Sequence, residues 1–183
     1  AVSGDFVAAH REGVREAERI FSTEVPAKAD IVVCDAYPST YELDLWQASK
    51  AIMASYLVVK RGGAIILIAR CPEGISSEHP ELSKFGCRPY SEVRELVENG
   101  IMNDLNASAT SSQIGQVLAD KVRIVLFSEG ISRQETEKLG FEYTNDIQSA
   151  VNSNMKRYGE NSNVLFLRNA CEILPTLSRW PSR

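Results

Sequence analysis

The sequence predicts an α/β fold, a doubly wound, mainly parallel sheet with helices on both faces. Three observations carry this. Four short, largely apolar runs rich in β-branched residues stand at 31–34, 64–69, 122–127 and 164–167, as expected of strands buried on both sides. Between them lie segments whose apolar residues recur at helical spacing. Parallel neighbours need such crossovers, and right-handed crossovers cover the sheet.

Taken in order, Asp5 is placed to cap a helix carrying Val7, Val14, Ala17 and Phe21 at helical spacing, a pattern that fades between Ser22 and Pro26. The run at 31–34 is the first strand, bounded by Asp35 and Pro38. A loop through Tyr37 and Tyr41 leads to a helix over 42–59, with Trp46, Met53, Tyr56 and Leu57 on one side. Lys60-Arg-Gly-Gly63 is expected to close it, cations first and then glycines free to take positive φ. The second strand, 64–69, precedes a long segment with short helices near 80–85 and 91–99, the latter stopping at Gly100. Thr110-Ser-Ser-Gln113 is a capping box for a helix reaching Asp120. The third strand is 122–127. Ser132-Arg-Gln-Glu135 caps another helix, which Gly140 ends. A minor strand at 141–144, a helix over 146–158 and the strand at 164–167 complete the pattern. The stretch 176–183 has no periodicity and is expected to be a loose tail.

The 183 residues, 44% hydrophobic and 24% charged, suit one soluble globular domain. Acidic residues outnumber basic ones 24 to 20 and no dense basic run exists, which argues against nucleic acid or an anionic membrane as partner. The longest apolar run, 64–69, is six residues long and too short to span a bilayer. Asp5, His10, Arg11 and Glu12 interrupt any leader-like apolar stretch. Four separated cysteines, Cys34, Cys71, Cys87 and Cys171, form no CxxC pair and read as reduced thiols of a cytoplasmic protein. With only His10 and His79 to help them, a zinc site is not expected.

Ligands of open parallel sheets bind at the carboxyl ends of the strands. Loops 35–41, 70–76, 128–131 and 168–171 should therefore share one rim. The first leads into Trp46-Gln-Ala-Ser-Lys50, where Gln47 and Lys50 lie three apart and so share a helix face. Amide, ammonium and positive helix end together suit a small carboxylate or hydroxy acid; an ordinary solvated face is the plainer alternative. Other signals are weaker. Asp35-Ala-Tyr-Pro38 stands where a Rossmann-type dinucleotide turn needs glycines, and no phosphate loop is present. Cys71 reads as a half-buried structural thiol, having no histidine placed to activate it. His79-Pro80 reads as a helix start, and Trp46 as either core or pocket wall.

Taken together, Val2-Ser-Gly-Asp-Phe-Val-Ala-Ala-His-Arg-Glu-Gly-Val14, Ala29-Asp-Ile-Val-Val33, Tyr37-Pro38, Trp46-Gln-Ala-Ser-Lys50, Lys60-Arg-Gly-Gly-Ala-Ile-Ile66, Cys71-Pro-Glu-Gly74, Leu126-Phe-Ser-Glu-Gly-Ile131 and Ile173-Leu-Pro175 form an ordered set. In order and spacing they resemble the C-terminal part of the nickel-dependent lactate racemase family, and in particular homologues with a Pro-Glu-Gly…His-Pro stretch. The resemblance implies an isomerase, a racemase or epimerase of 2-hydroxy acids. A nickel pincer nucleotide is implied, held with the histidine acid–bases by a separate N-terminal domain, so no catalytic, metal or cofactor residue falls in this chain. Hydride leaves the substrate for that cofactor and returns to either face. The resemblance assigns Gln47 and Lys50 to substrate binding, with Trp46 beside them. It divides the chain into a linking helix (1–28) from the other domain, an α/β domain that closes the cleft (29–175), and the tail.

The expected partners are a small 2-hydroxy acid and the N-terminal domain, and the chain alone is expected to be inactive. Asp35-Ala36 replaces the Gly-Gly that lactate-specific members tend to carry, and the loop 39–42 is longer than theirs. A larger hydroxy acid or a sugar acid therefore stands beside lactate. The alternative from another class is a non-catalytic α/β module that binds a small anion.

Overall fold

The structure is a computed structural model, which describes residues 1–38, 40–159 and 161–178. Helix α1 (Phe6–Phe21) leads to strand β1 (Ser22–Val25) and then β2 (Ala29–Asp35). Helix α2 (Leu45–Val58) passes directly into β3 (Val59–Ile68). Three helices follow, α3 (Pro80–Phe85), α4 (Tyr90–Glu98) and α5 (Leu105–Ala119), before β4 (Arg123–Phe127). The chain ends with α6 (Arg133–Lys138), β5 (Glu142–Thr144), α7 (Ile147–Tyr158), β6 (Val164–Leu167) and β7 (Leu174–Leu177).

Five strands form one parallel sheet in the order β5-β4-β3-β2-β6. Successive strands step from β2 to β5 in one direction, and β6 then returns to the far side of β2. The order therefore reverses between β2 and β6, and a crevice opens at the carboxyl ends of such a pair. Alternate residues face opposite sides. Val32, Cys34, Ile65, Leu67, Ile124 and Leu126 point into the larger core under α2, α3, α4 and α5. Ile31, Val33, Ile66 and Val125 point into a smaller core under α7.

Several boundaries differ from the sequence expectation, each for a local reason. Lys60-Arg-Gly-Gly63 does not close α2 but lies within β3, where the pairing slips between Ala29 opposite Val59 and Ile31 opposite Ala64. Gly62 has φ 77° in this bulge, and a Cβ on Gly63 would stand 2.6 Å from the Asp30 carbonyl oxygen. Lys60 bonds the Asp30 carboxylate there at 2.9 Å. Thr110 is inside α5, which starts earlier because the Asp104 carboxylate accepts hydrogen bonds from the amides of Asn106 and Ala107. The Ser132–Glu135 capping box is formed as expected. Ser22–Val25 is a strand: β1 pairs in parallel with β7, and Ser178 N–H donates to the Val25 carbonyl. Thr176 and Leu177, expected in a loose tail, therefore belong to a strand, while 179–183 lie outside the described residues.

Candidate functional site

The rim is built before any ligand arrives. Arg70–Ser76, after β3, runs beside the chain entering α2. Cys71 N–H donates to Glu42 O at 2.9 Å and Glu73 N–H to Leu43 O at 2.9 Å, while Leu45 and Trp46 N–H donate back to Gly74 O and Ile75 O at 3.0 Å. Gly74 takes φ 77°, the turn this pairing needs. The loop after β4 locks on from the other side. Gly130 N–H and Ser128 Oγ–H both donate to Arg70 O at 2.9 Å, and a Cβ on Gly130 would sit 1.8 Å from the Cys71 carbonyl oxygen. On the β6 side the Asp35 carboxylate accepts from Asn169 N–H at 2.8 Å. The four loops expected at one rim are thus tied in two pairs, 70–76 with 128–131 and 35–41 with 168–171.

This lock corrects one expectation. The positive end of α2 is not open to substrate. Its first amides are taken by Gly74 O and Ile75 O, by the Asp44 carboxylate, which accepts from Gln47 N–H at 2.8 Å, and by Asp44 O, which accepts from Ala48 N–H at 3.1 Å. Asp44 is only 7% exposed, so a fixed anion already complements the helix dipole.

What remains available is side-chain chemistry. Lys50 is exposed and its ammonium donates to Gln47 Oε1 at 2.6 Å. The amide oxygen is thereby occupied and the Gln47 NH₂ is left as a donor, beside two further Lys50 N–H groups. Lys50 forms no ion pair among the described residues. Its ammonium stands 4.9 Å from the centre of the Tyr41 ring, which favours the cation. Tyr41 also lines a shallow pocket of about 320 Å³ with Phe21, Cys171 and Leu174. A larger pocket of about 480 Å³ between α4 and α5 is lined by Tyr90, Val93 and Val97 with Arg94, Glu98, Ser108 and Ser112, and there Arg94 is already paired with Glu98 at 2.7 Å.

Trp46, the third expected residue, is half-buried and packs against the larger core. Its ring meets His79, centroids 4.4 Å apart and planes tilted by 49°. His79 does start α3, but its side chain does not cap it. Instead Nδ1 lies 2.7 Å from Asp104 Oδ2. The Asp104 carboxyl is held below the usual carboxylate range, first by the Ala107 amide and then by His79. Neither the approach of Tyr41 to Lys50 nor the meeting of His79 with Asp104 and Trp46 was legible, because each joins segments separate in sequence. Asp44 had a signal, since it lies three residues before Gln47 in capping-box spacing.

The four cysteines are buried or half-buried thiols, none of them in a disulfide. Burial pushes the thiols of Cys34, Cys71 and Cys87 up to about 12 and that of Cys171 to about 11. Among the described residues no group of three or more His, Cys, Asp or Glu side chains could hold a metal ion. His10 is exposed on α1. No helix of the described residues is long and apolar enough to cross a membrane.

The parallel sheet with its rim of locked loops defines an α/β domain of the kind that presents ligands at its strand ends. Residues 25–174 match the family model of the lactate racemase C-terminal domain, and the chain belongs to that family. Two solved structures share the fold. One is the lactate racemase apoprotein from Thermoanaerobacterium thermosaccharolyticum, with a TM-score of 0.76 at 16% identity over 92% of this chain. The other is a protein from Thermotoga maritima, with a TM-score of 0.66 at 14% identity over 94% of this chain. The chain spans 40% of the first and 43% of the second. No curated protein sequence matches it.

Proposed function

We propose that this chain is the substrate-contacting, cleft-closing domain of a racemase or epimerase of lactate or a related 2-hydroxy acid. The observation that carries it is the Gln47–Lys50 donor pair: an unneutralised ammonium and an amide NH₂, fixed to each other at 2.6 Å on a helix whose start is locked. A carboxylate is a small group that such a pair of donors complements. Holding it would orient the α C–H of the substrate toward the opposite wall of the cleft, and positioning of that kind lowers the barrier by pre-arranging the reacting atoms.

A nickel pincer nucleotide would accept and return hydride in such an enzyme. The residues of this chain do not fit it: no group of three or more His, Cys, Asp or Glu side chains among the described residues could hold a metal ion. We assign that group and the acid–base histidines to a separate domain. Helix α1 supports the presence of one. It is strongly amphipathic yet has no buried residue; Phe6 is 82% exposed, and Val7, Val14, Ile20 and Phe21 are uncovered too. Phe21 reaches the pocket beside Tyr41, so α1 joins the domain next to the rim and is placed to act as a hinge.

Two experiments test this. Coding sequence upstream of Ala1 should encode a domain with clustered histidines and a lysine; a start codon immediately before Ala1 would contradict it. Full-length protein should interconvert the enantiomers of a 2-hydroxy acid, and Lys50→Ala should lower kcat/KM by about a hundredfold, the cost of losing a charged hydrogen bond to substrate. Wild-type turnover in that variant would remove the role given to Lys50. Tight binding of hydroxy acids by the 183-residue chain alone would instead favour a self-standing binding module, because half a cleft should bind weakly.

A further inference from the structure

We infer that the pocket beside Tyr41 takes the substituent on the α-carbon of the substrate, and that it selects monocarboxylic 2-hydroxy acids with a bulky apolar group there, a reading that rests on the contact proposed between Lys50 and the carboxylate. Two residues belong to the pocket and to the surroundings of Lys50 at once. Tyr41 lines the pocket, and its ring centre stands 4.9 Å from Lys50 Nζ. Cys171 lines it too, on the 3-10 turn Ala170–Glu172 that packs against α2. Burial raises the Cys171 thiol, while the Ala51 backbone and then the Lys50 ammonium act on it in the opposite direction, so the charge is felt at this wall as well. A carboxylate hydrogen-bonded to Lys50 puts its α-carbon roughly 5 Å from Nζ. The next group along can therefore enter the pocket that Tyr41 bounds.

The walls are set without a ligand. Tyr41 N–H donates to Pro38 O and Glu172 N–H to Asn169 O, both at 2.9 Å, and Asp35 holds Asn169 N–H at 2.8 Å. Leu174 opens β7 opposite Ser22, the residue after Phe21. Phe21, Tyr41, Cys171, Ile173 and Leu174 give a mainly apolar lining around about 320 Å³. An apolar cavity of about 150 Å³ already admits benzene, so a methyl group would leave most of this pocket to water while a phenyl or branched alkyl group would displace it. The sixth lining residue, Glu172, is exposed and in no ion pair among the described residues, and it stands against a second carboxylate. Beyond Glu172 and the Tyr41 hydroxyl, no lining side chain is a strong hydrogen-bond partner, so a polyhydroxy chain would give up bonds to water for fewer bonds here.

The test is side-chain NMR of the 183-residue chain titrated with L-3-phenyllactate, L-lactate and L-malate. Phenyllactate and lactate are expected to move the Lys50 ε-methylene signals. Only phenyllactate should also move the methyls of Ile173 and Leu174, through its ring current, and it should bind roughly tenfold tighter than lactate, the value of half-burying a phenyl group. Phe21→Ala, at an exposed position, should narrow that preference to about threefold. Glu172→Gln should strengthen malate binding about threefold, with less effect on lactate. Moving Lys50 signals with still methyls and equal affinity for phenyllactate and lactate would overturn the inference and leave the proposed function standing. Moving methyls with still Lys50 signals would overturn the carboxylate contact beneath it. No movement at any of these groups would overturn both.

Discussion

The first turn of α2 and the whole of α1 are both helical, but they are stabilised in opposite ways. At the start of α2 the backbone is satisfied from outside the helix, by Gly74, Ile75 and a nearly buried Asp44, while the side chains of Gln47 and Lys50 are left with donors to spare. Helix α1 has its own cap at Asp5 and local Glu12–Arg15 and Glu16–Arg19 pairs, but beyond Val2 beside Gly13 its apolar residues Phe6, Val7, Val14, Ile20 and Phe21 stay exposed. Exposed pairs of that kind contribute little, and an amphipathic helix draws most of its stability from tertiary packing. The difference separates two kinds of incompleteness. α2 is a rigid mount that lacks a small ligand, and α1 is a helix that lacks an apolar neighbour.

Glycine substitutions should show the largest contrast. Gly130→Ala places a Cβ against the Cys71 carbonyl in the locked rim and should cost about 3 kcal/mol in urea denaturation. Gly13→Ala, whose Cβ would meet only Val2 Cγ2 at 3.7 Å, should slow hydrogen exchange within α1 and leave the global midpoint unchanged. Equal losses in the two variants would mean that α1 is part of the folded core.

A smaller effect is expected at Asp104. Removing it (Asp104→Ala) takes away two helix-capping bonds and the His79 bond, for about 2 kcal/mol. Because its carboxyl is depressed in the folded state, its stabilisation is fully present above the unfolded value near about pH 4 and is lost as pH falls through the folded value. Asp104→Ala should therefore flatten the acid limb of the stability curve, and an unchanged limb would show that the bond contributes nothing. The smallest effect belongs to α1: Phe6→Ser should change stability by less than about 0.5 kcal/mol, and a larger loss would reveal a partner for that face.

The order of elements was legible because buried parallel strands and helices have different periods, and the Ser132 box and Gly140 follow directly from capping chemistry. The slip at Lys60–Gly63 was not, because glycines after a helical pattern look alike whether they cap a helix or open a bulge; only the close approach to Asp30 decides. β1 was hidden for a related reason, since a four-residue strand with one buried position, Val25, carries almost no pattern and is specified by its partner β7. At the site, the Gln47–Lys50 pairing could be read from spacing within one helix. The capture of the helix end by Cys71–Ser76 and the meeting of Trp46, His79 and Asp104 depend on which loops the sheet order brings together, and local periodicity does not encode that.

The most direct measurement is the response of the Lys50 ammonium and ε-methylene resonances of this chain to L-lactate compared with its uncharged amide, lactamide. The account predicts that lactate moves them and lactamide does not, because the surface recognises a carboxylate. An equal response to both, or none to lactate, would contradict it.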